Sequence, residues 1–300
     1  MFPAFCIRAE VAQLVEQLIR NQQVTGSSPV FGSTAAGHRI LSKCRSPCDS
    51  PPFMDPREHD VMRSVEDHYW WYQALRQHVA ESIVPTAPNF SLLDAGCGTG
   101  GMLRVVRQKF PAADLTGVDE SSHALELVAA RATGANLLRA NVHELPFPEN
   151  SFDFVLSIDV ITAATVDASL AVHELHRVLR PDGHLVLNVA AFDFLKGAHD
   201  SAVDVNRRYT RREIQALLEG AGFAVERLSY WNATFAPPIA LLRWLSRQRE
   251  HIDRPRSDFR PLPPFLNQIL KRVAALELNA SRHVSLPFGT SLFAVARKNG

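Results

Sequence analysis

From residue 91 onward, short apolar runs alternate with segments whose apolar residues recur every three or four positions. Ser91-Leu-Leu-Asp94, Leu115-Thr-Gly-Val118, Leu137–Ala140, Phe152–Ile158 and His184–Ala191 are apolar runs of strand length. Between them, Met102, Leu103, Val106 and Phe110 share one face of a helix, and Leu125 and Val128 lie on a second that Ser121 or Ser122 can cap. Asp167 to Leu179 reads as a third helix, and Arg180-Pro-Asp-Gly183 as the turn that closes it. Strands and helices alternating at this spacing predict an α/β chain with a doubly wound, mostly parallel sheet.

The flanks extend this pattern. Glu58 to Val84 predicts one or two lid helices carrying Tyr69-Trp70-Trp71-Tyr72, broken by Pro85 and Pro88. Thr210-Arg-Arg-Glu213 is a capping box that opens a helix through Ile214, Leu217 and Leu218, ended by Gly220 or Gly222. Phe223–Trp231 and Ser291–Lys298 predict two closing strands, for seven in all. A helical insert, about 234–285, lies between them, with helices around Phe235–Gln248 and Phe265–Asn279.

Residues 1–53 break the pattern. Val11, Leu14, Val15 and Leu18 fit one short amphipathic helix, but Thr25 to Pro52 is a Gly/Ser/Pro stretch too poor in apolar residues to offset its ordering entropy. The stretch Val11 to Val30 resembles the conceptual translation of a transfer-RNA gene. Residues 1–53 are therefore expected to be disordered or misassigned, with Met54 the start and 54–300 one domain.

Composition narrows the function. A hydrophobic content of 46% supports a full core, and 32 Lys+Arg against 31 Asp+Glu leave no electrostatic footprint for a nucleic-acid backbone. The four cysteines, Cys6, Cys44, Cys48 and Cys97, make neither a disulfide framework nor a zinc set, so no metal is expected. No leader pattern and no membrane-length apolar run is present, which predicts a cytoplasmic protein.

The loop Asp94-Ala-Gly96-Cys-Gly98-Thr-Gly100-Gly101 carries the candidate chemistry. Its glycines satisfy both G-x-G-x-x-G and the tighter G-x-G-x-G, so spacing alone leaves a dinucleotide ligand open. Asp94 separates the two. A carboxylate at the loop mouth repels a pyrophosphate in a water-poor cleft, whereas it attracts the ammonium group of S-adenosylmethionine. Asp119, ending the second strand, suits two ribose hydroxyls of either ligand.

Leu92-Leu-Asp-Ala-Gly-Cys-Gly-Thr-Gly100 resembles motif I of the class I S-adenosylmethionine-dependent methyltransferases. Asn141 to Asp153 and Glu174 to Gly183 resemble further motifs of their type 11 subgroup, and the likeness covers roughly Glu66 to Ser229. It implies a Rossmann-like methyltransferase fold with S-adenosyl-L-methionine as cofactor. It also implies that Asp94, Ala95, Gly96, Gly98 and Gly100 cradle the methionine end, Asp119 and Glu120 the ribose, Asn141 and Val142 the adenine, with Ser157 alongside. Asn141 stands where the family usually has Asp, and the histidine that many relatives carry after strand four is absent.

Methyl transfer is a direct displacement at an activated carbon, so alignment and water exclusion matter more than any one side chain. His199 with Asp200 and Tyr209, past strand five, are the candidate base and its neighbours. Arg207 and Arg208 are candidates for an anionic group on the substrate, and Tyr69 and Trp71 for a lid, one aromatic at the cofactor and the rest packing. Loop caps, ion pairs to Glu213 or Asp204, and core packing are the structural alternatives for the same residues. The expected acceptor is a small or lipid-like molecule, and the 235–249 helix can wall its pocket, lie on a membrane surface or simply pack. A nicotinamide-dependent oxidoreductase and a non-catalytic binder of the same cofactor are the competing functions.

Overall fold

A computed structural model describes residues 56–196, 205–237, 239–241, 262–281 and 284–300. The expectation for residues 1–53 therefore falls outside the described residues, as do His199, Asp200 and most of the first insert helix.

Two helices, α1 (Pro56–Val65) and α2 (Trp70–Ser82), precede the sheet. Then follow β1 (Ser91–Ala95), α3 (Gly101–Lys109), β2 (Asp114–Asp119), α4 (Ser122–Ala129), β3 (Asn136–Arg139) and β4 (Phe152–Ile158). The remainder is α5 (Ala168–Val178), β5 (Leu179–Ala190), α6 (Arg211–Gly220), β6 (Phe223–Trp231), α7 (Pro264–Ala280) and β7 (Ser291–Lys298). The seven strands lie in the order β3-β2-β1-β4-β5-β7-β6. Strands β1 to β5 are parallel, and β7 runs antiparallel to both β5 and β6.

Successive strand residues point to opposite faces, so Leu92 and Leu93 enter two different cores. Leu93, Val155 and Leu187 pack with α5 and α6, through Val172, Leu175, Ile214 and Leu218. Leu92, Phe154 and Val186 pack on the other face with α2, α3 and α7, through Leu75, Val79, Leu103 and Leu278. Both faces are covered, which is why the strand runs read as nearly continuous apolar stretches.

Local chemistry sets the helix starts. Ser121, and not Ser122, caps α4 by accepting from the Ala124 amide at 3.2 Å. Asp167 accepts from the amides of Ser169 and Leu170, and Thr210 with Glu213 forms the complete reciprocal box on α6.

One expectation needs correction. Arg180 to Gly183 does not separate helix from strand but is looped out within β5. Phe152 pairs with Leu179 and Phe154 with His184, so four residues of β5 bulge opposite Asp153 alone. The buried Leu179 resumes sheet pairing before the turn-forming residues, and the left-handed Asp182 (φ 61°) lets the chain rejoin the ladder.

The strand order reverses between β1 and β4. In a doubly wound sheet that crevice, at the carboxyl ends of the strands, is where ligands bind.

Candidate functional site

The chain leaves β1 at Ala95 and turns through Gly96, Gly98 and Gly100, at φ 85°, 49° and 76°. Only glycine adopts these angles without strain. The amides of Gly96 and Cys97 both donate to the Val118 carbonyl at 2.9 Å, which ties the loop to β2. A side chain at Gly96 would collide with Val160, and one at Gly100 with Val128. At Gly101, the third glycine of the dinucleotide-type spacing, the missing side chain admits the Arg76 guanidinium.

Above this loop lies a cavity of about 300 Å3, roofed by α1 and α2. Asp94 lines it and is only 2% exposed, and its Oδ2 has no hydrogen-bond partner among the described residues. Burial, reinforced by the charge of Asp119 and opposed by Arg76, pushes the Asp94 carboxyl up to about 7. Asp119 accepts from the amide of Gly98 through Oδ2 and from that of Ser121 through Oδ1, both at 2.9 Å. Burial raises it above the ordinary carboxylate range although these amides pull it down. Glu120, beside it, is raised by burial and by the Asp119 charge.

Asp94, Gly96, Gly98, Asp119, Glu120, Val142, Tyr69, Trp71 and Arg208 all line this cavity. Other expected residues stand elsewhere. Ala95 lies in the sheet core and Gly100 at the base of the turn. Asn141 Oδ1 accepts from the His143 amide at 2.8 Å, so its carbonyl closes its own turn, and its neighbours Ala140 and Val142 form the wall. Ser157 is buried inside β4.

Past β5 the geometry corrects two assignments. Tyr209 is 2% exposed and donates its hydroxyl to the Ile161 carbonyl at 2.8 Å, while its backbone pairs with Ala190 and Phe192. That geometry makes it a strut for the loop rather than a group available to substrate. Arg207 pairs with Glu213 at 3.3 Å and stands 4.8 Å over the Tyr209 ring, outside the cavity. Arg208 does line the cavity and donates to the Ala191 carbonyl at 2.9 Å.

The aromatic run also differs from expectation. Tyr69, Trp71 and Tyr72 line the cavity, and Trp70 packs against Phe235 at 4.8 Å. Helical spacing does not govern all four, because Tyr69 is the extended residue that caps α2.

Sequence reasoning missed Asp159. It follows β4 directly, adopts φ 60° and lines the cavity. A non-glycine residue held in this region is uncommon and marks strain. Asn188 Nδ2 donates to its Oδ1 at 2.9 Å, and the Asn188 carbonyl in turn accepts from Trp231 Nε1 at 2.8 Å. Burial pushes Asp159 up to about 7, against the Asn188 hydrogen bond and the charge of Arg208. An acidic residue just past an apolar strand, at the ligand-binding edge of a parallel sheet, is the signal that could have found it.

Five carboxylates, Glu66, Asp94, Asp119, Glu120 and Asp159, thus line this cavity, against two arginines, Arg76 and Arg208. This lining suits a ligand with cationic groups and hydroxyls and opposes a pyrophosphate. The residues fit S-adenosylmethionine: Asp94 would hold the ammonium group, Asp119 the ribose, and Ala140 with Val142 the adenine.

Residues 93–187 match a family described as "Methyltransferase domain". The chain is 32% identical over 112 residues to a demethylmenaquinone methyltransferase of Thermotoga maritima, a match covering 37% of this chain and 48% of that protein. It is 29% identical over 189 residues to a malonyl-[acyl-carrier protein] O-methyltransferase of Enterobacter lignolyticus, covering 59% and 73%. The fold matches a phosphoethanolamine N-methyltransferase 2 of Haemonchus contortus, solved with S-adenosyl-L-methionine, at TM-score 0.55 and 17% identity, over 85% of this chain and 62% of that one.

Proposed function

We propose that this chain, whose residues 93–187 match a methyltransferase domain, is a class I S-adenosylmethionine-dependent methyltransferase that transfers the methyl group of that cofactor to a small, largely apolar or lipid-like acceptor. The observation that carries this reading is the buried Asp94 carboxylate facing the cavity with one oxygen unpartnered. An ammonium group supplies the missing partner, and a nicotinamide dinucleotide has none to offer there.

The cofactor, when bound, supplies a methyl carbon already activated by a sulfonium. The chain has to align the acceptor with it and keep water out. Met62, Tyr72 and Leu75 from the roof, and Val160, Val166 and Val205 from the sheet side, make most of the wall apolar. Asp159 and Arg208 are charged groups that line the same cavity. Asp159 would orient the acceptor and, where its nucleophilic atom carries a proton, accept that proton as the new bond forms. Asn188, fixed by Trp231, holds Asp159 Oδ1 in place for this. His199 and Asp200 remain proposed participants from the adjacent segment. The names of the two relatives support an acceptor of the lipid-like or carrier-borne kind.

Titration calorimetry with S-adenosylhomocysteine and with NAD tests the cofactor half. Heat with the first and none with the second is expected, and heat with NAD alone overturns the reading. Phe265, Ile269 and Leu276 are exposed on one face of α7, which supports peripheral contact with lipid during acceptor capture. Co-sedimentation with phosphatidylglycerol vesicles is expected, and a Phe265→Ser variant that sediments equally well would remove that contact from the proposal. No helix among the described residues is long and apolar enough to cross a membrane.

A further inference from the structure

We propose that Glu66 is the latch that holds the glycine loop in its cofactor-receiving shape, with Thr99 as the hook it grips. The inference rests on the cofactor reading above. Glu66 follows α1 directly and is 2% exposed. Its Oε1 accepts from the Thr99 hydroxyl at 2.5 Å and pairs with Arg131, and its Oε2 pairs with Arg76. Arg131 closes the ring by donating Nε to the Thr99 carbonyl at 2.6 Å. One side chain thus joins the roof, the middle of the loop and the end of α4.

The neighbouring residues support the arrangement. Asp67 receives Arg104 at 2.9 Å, Arg131 at 3.1 Å and Arg76 at 3.3 Å. Burial alone would raise Asp67, yet these arginines hold it below the ordinary carboxylate range. The Arg76 guanidinium lies against Gly101, in space that any larger residue there would fill. A structural cluster could sit anywhere under the sheet. This one grips the loop at Thr99, between the two left-handed glycines Gly98 and Gly100.

The physical reason for a tether is conformational. Glycines lose more freedom on ordering than other residues, so a glycine-rich loop ordered only by its ligand would lose affinity. On one side Asp119 holds the Gly98 amide, and on the other Glu66 holds Thr99. With both in place the loop meets the cofactor already shaped. Glu66 and Thr99 both line the cavity, and the role proposed for them is to position the loop, which the exchange of its amides without ligand reads separately from direct contact.

The test measures S-adenosylhomocysteine affinity by calorimetry and, without ligand, hydrogen exchange of the 96–101 amides. Thr99→Val, which keeps the volume and deletes the donor, is expected to weaken binding about tenfold and speed exchange of those amides. Thr99→Ser keeps the hydroxyl and should restore both, which a loss of packing alone would not allow. Glu66→Gln should follow Thr99→Val, while Arg63→Ala, which leaves the pairs of Asp67 with Arg76, Arg104 and Arg131 in place, should bind as wild type. Thr99→Val with wild-type affinity and exchange overturns the latch and leaves the cofactor reading intact. A wild-type protein that gives no heat overturns the cofactor reading and, with it, the latch.

Discussion

At the scale of single residues, the site is governed by carboxylates that burial has made reluctant to ionise. Asp94 rises to about 7, whereas the cofactor ammonium favours its charged form. Binding below that pH must first remove a proton. S-adenosylhomocysteine affinity should therefore strengthen as pH rises from about 6 and level off above about 7 to 8, read as a series of calorimetric titrations. Asp94→Asn should weaken binding about 10- to 100-fold and flatten that profile, because a charge-assisted hydrogen bond is lost together with the titrating group. Asp159→Asn should leave S-adenosylhomocysteine affinity unchanged if that side chain takes its proposed place at the acceptor. A large loss of affinity there would move Asp159 to the cofactor.

At the scale of elements, Asn188 joins three strands through one side chain. It bonds Asp159 after β4, stands in β5 and accepts from Trp231 at the end of β6. Asn188→Ala would leave the Trp231 indole N–H, in a residue 1% exposed, without its acceptor. The expected cost is about 1–3 kcal/mol, measured by urea unfolding. The capping box of α6 is a milder case. Thr210→Ala removes the group that accepts from the Glu213 amide and should cost about 1 kcal/mol. Both variants fold by this argument, and only the first should also disturb the site.

Elements also show what a linear reading can and cannot reach. The strands Phe223–Trp231 and Ser291–Lys298 and the cap at Thr210 were legible because an apolar run of strand length and a capping box are properties of consecutive residues. The bulge at Arg180–Gly183 was not, because its residues are those of an ordinary turn. Its place inside β5 depends on Leu179 finding Phe152 across the sheet. Asn141, Tyr209 and Arg207 were located correctly along the chain, but where their polar atoms point was decided by neighbours that no motif specifies. The Glu66 cluster joins residues 33 and 65 positions apart and left no local trace.

At the scale of the whole molecule, two sets of acids oppose each other in the pH dependence of stability. Asp67, Asp153, Glu174 and Glu213 are held below their ordinary range, so the stability they contribute is lost as pH falls toward and below about 4. Asp94 and Asp159 are raised to about 7, so ligand-free stability declines as pH climbs from about 4 to about 7 and is level above it. Denaturant unfolding without ligand should show greatest stability near about pH 5. Saturating cofactor product should remove much of the decline toward pH 7, because an ammonium beside Asp94 lowers that carboxyl again. A ligand at about 100 times its dissociation constant adds about 2.7 kcal/mol, a thermal shift of several degrees for a domain of this size.

Alternating apolar runs, helix caps and the Asp94-to-Gly100 loop were enough, as a string of letters, to determine the sheet, its helices and the class of cofactor. They suffice because burial periodicity, capping and a sharp glycine turn are short-range properties. Only the folded chain decided that Asp159 reaches the cavity, that Tyr209 is a strut and that Glu66 holds the loop. Each of those outcomes depends on distances between residues far apart in sequence, and a three-dimensional packing sets them.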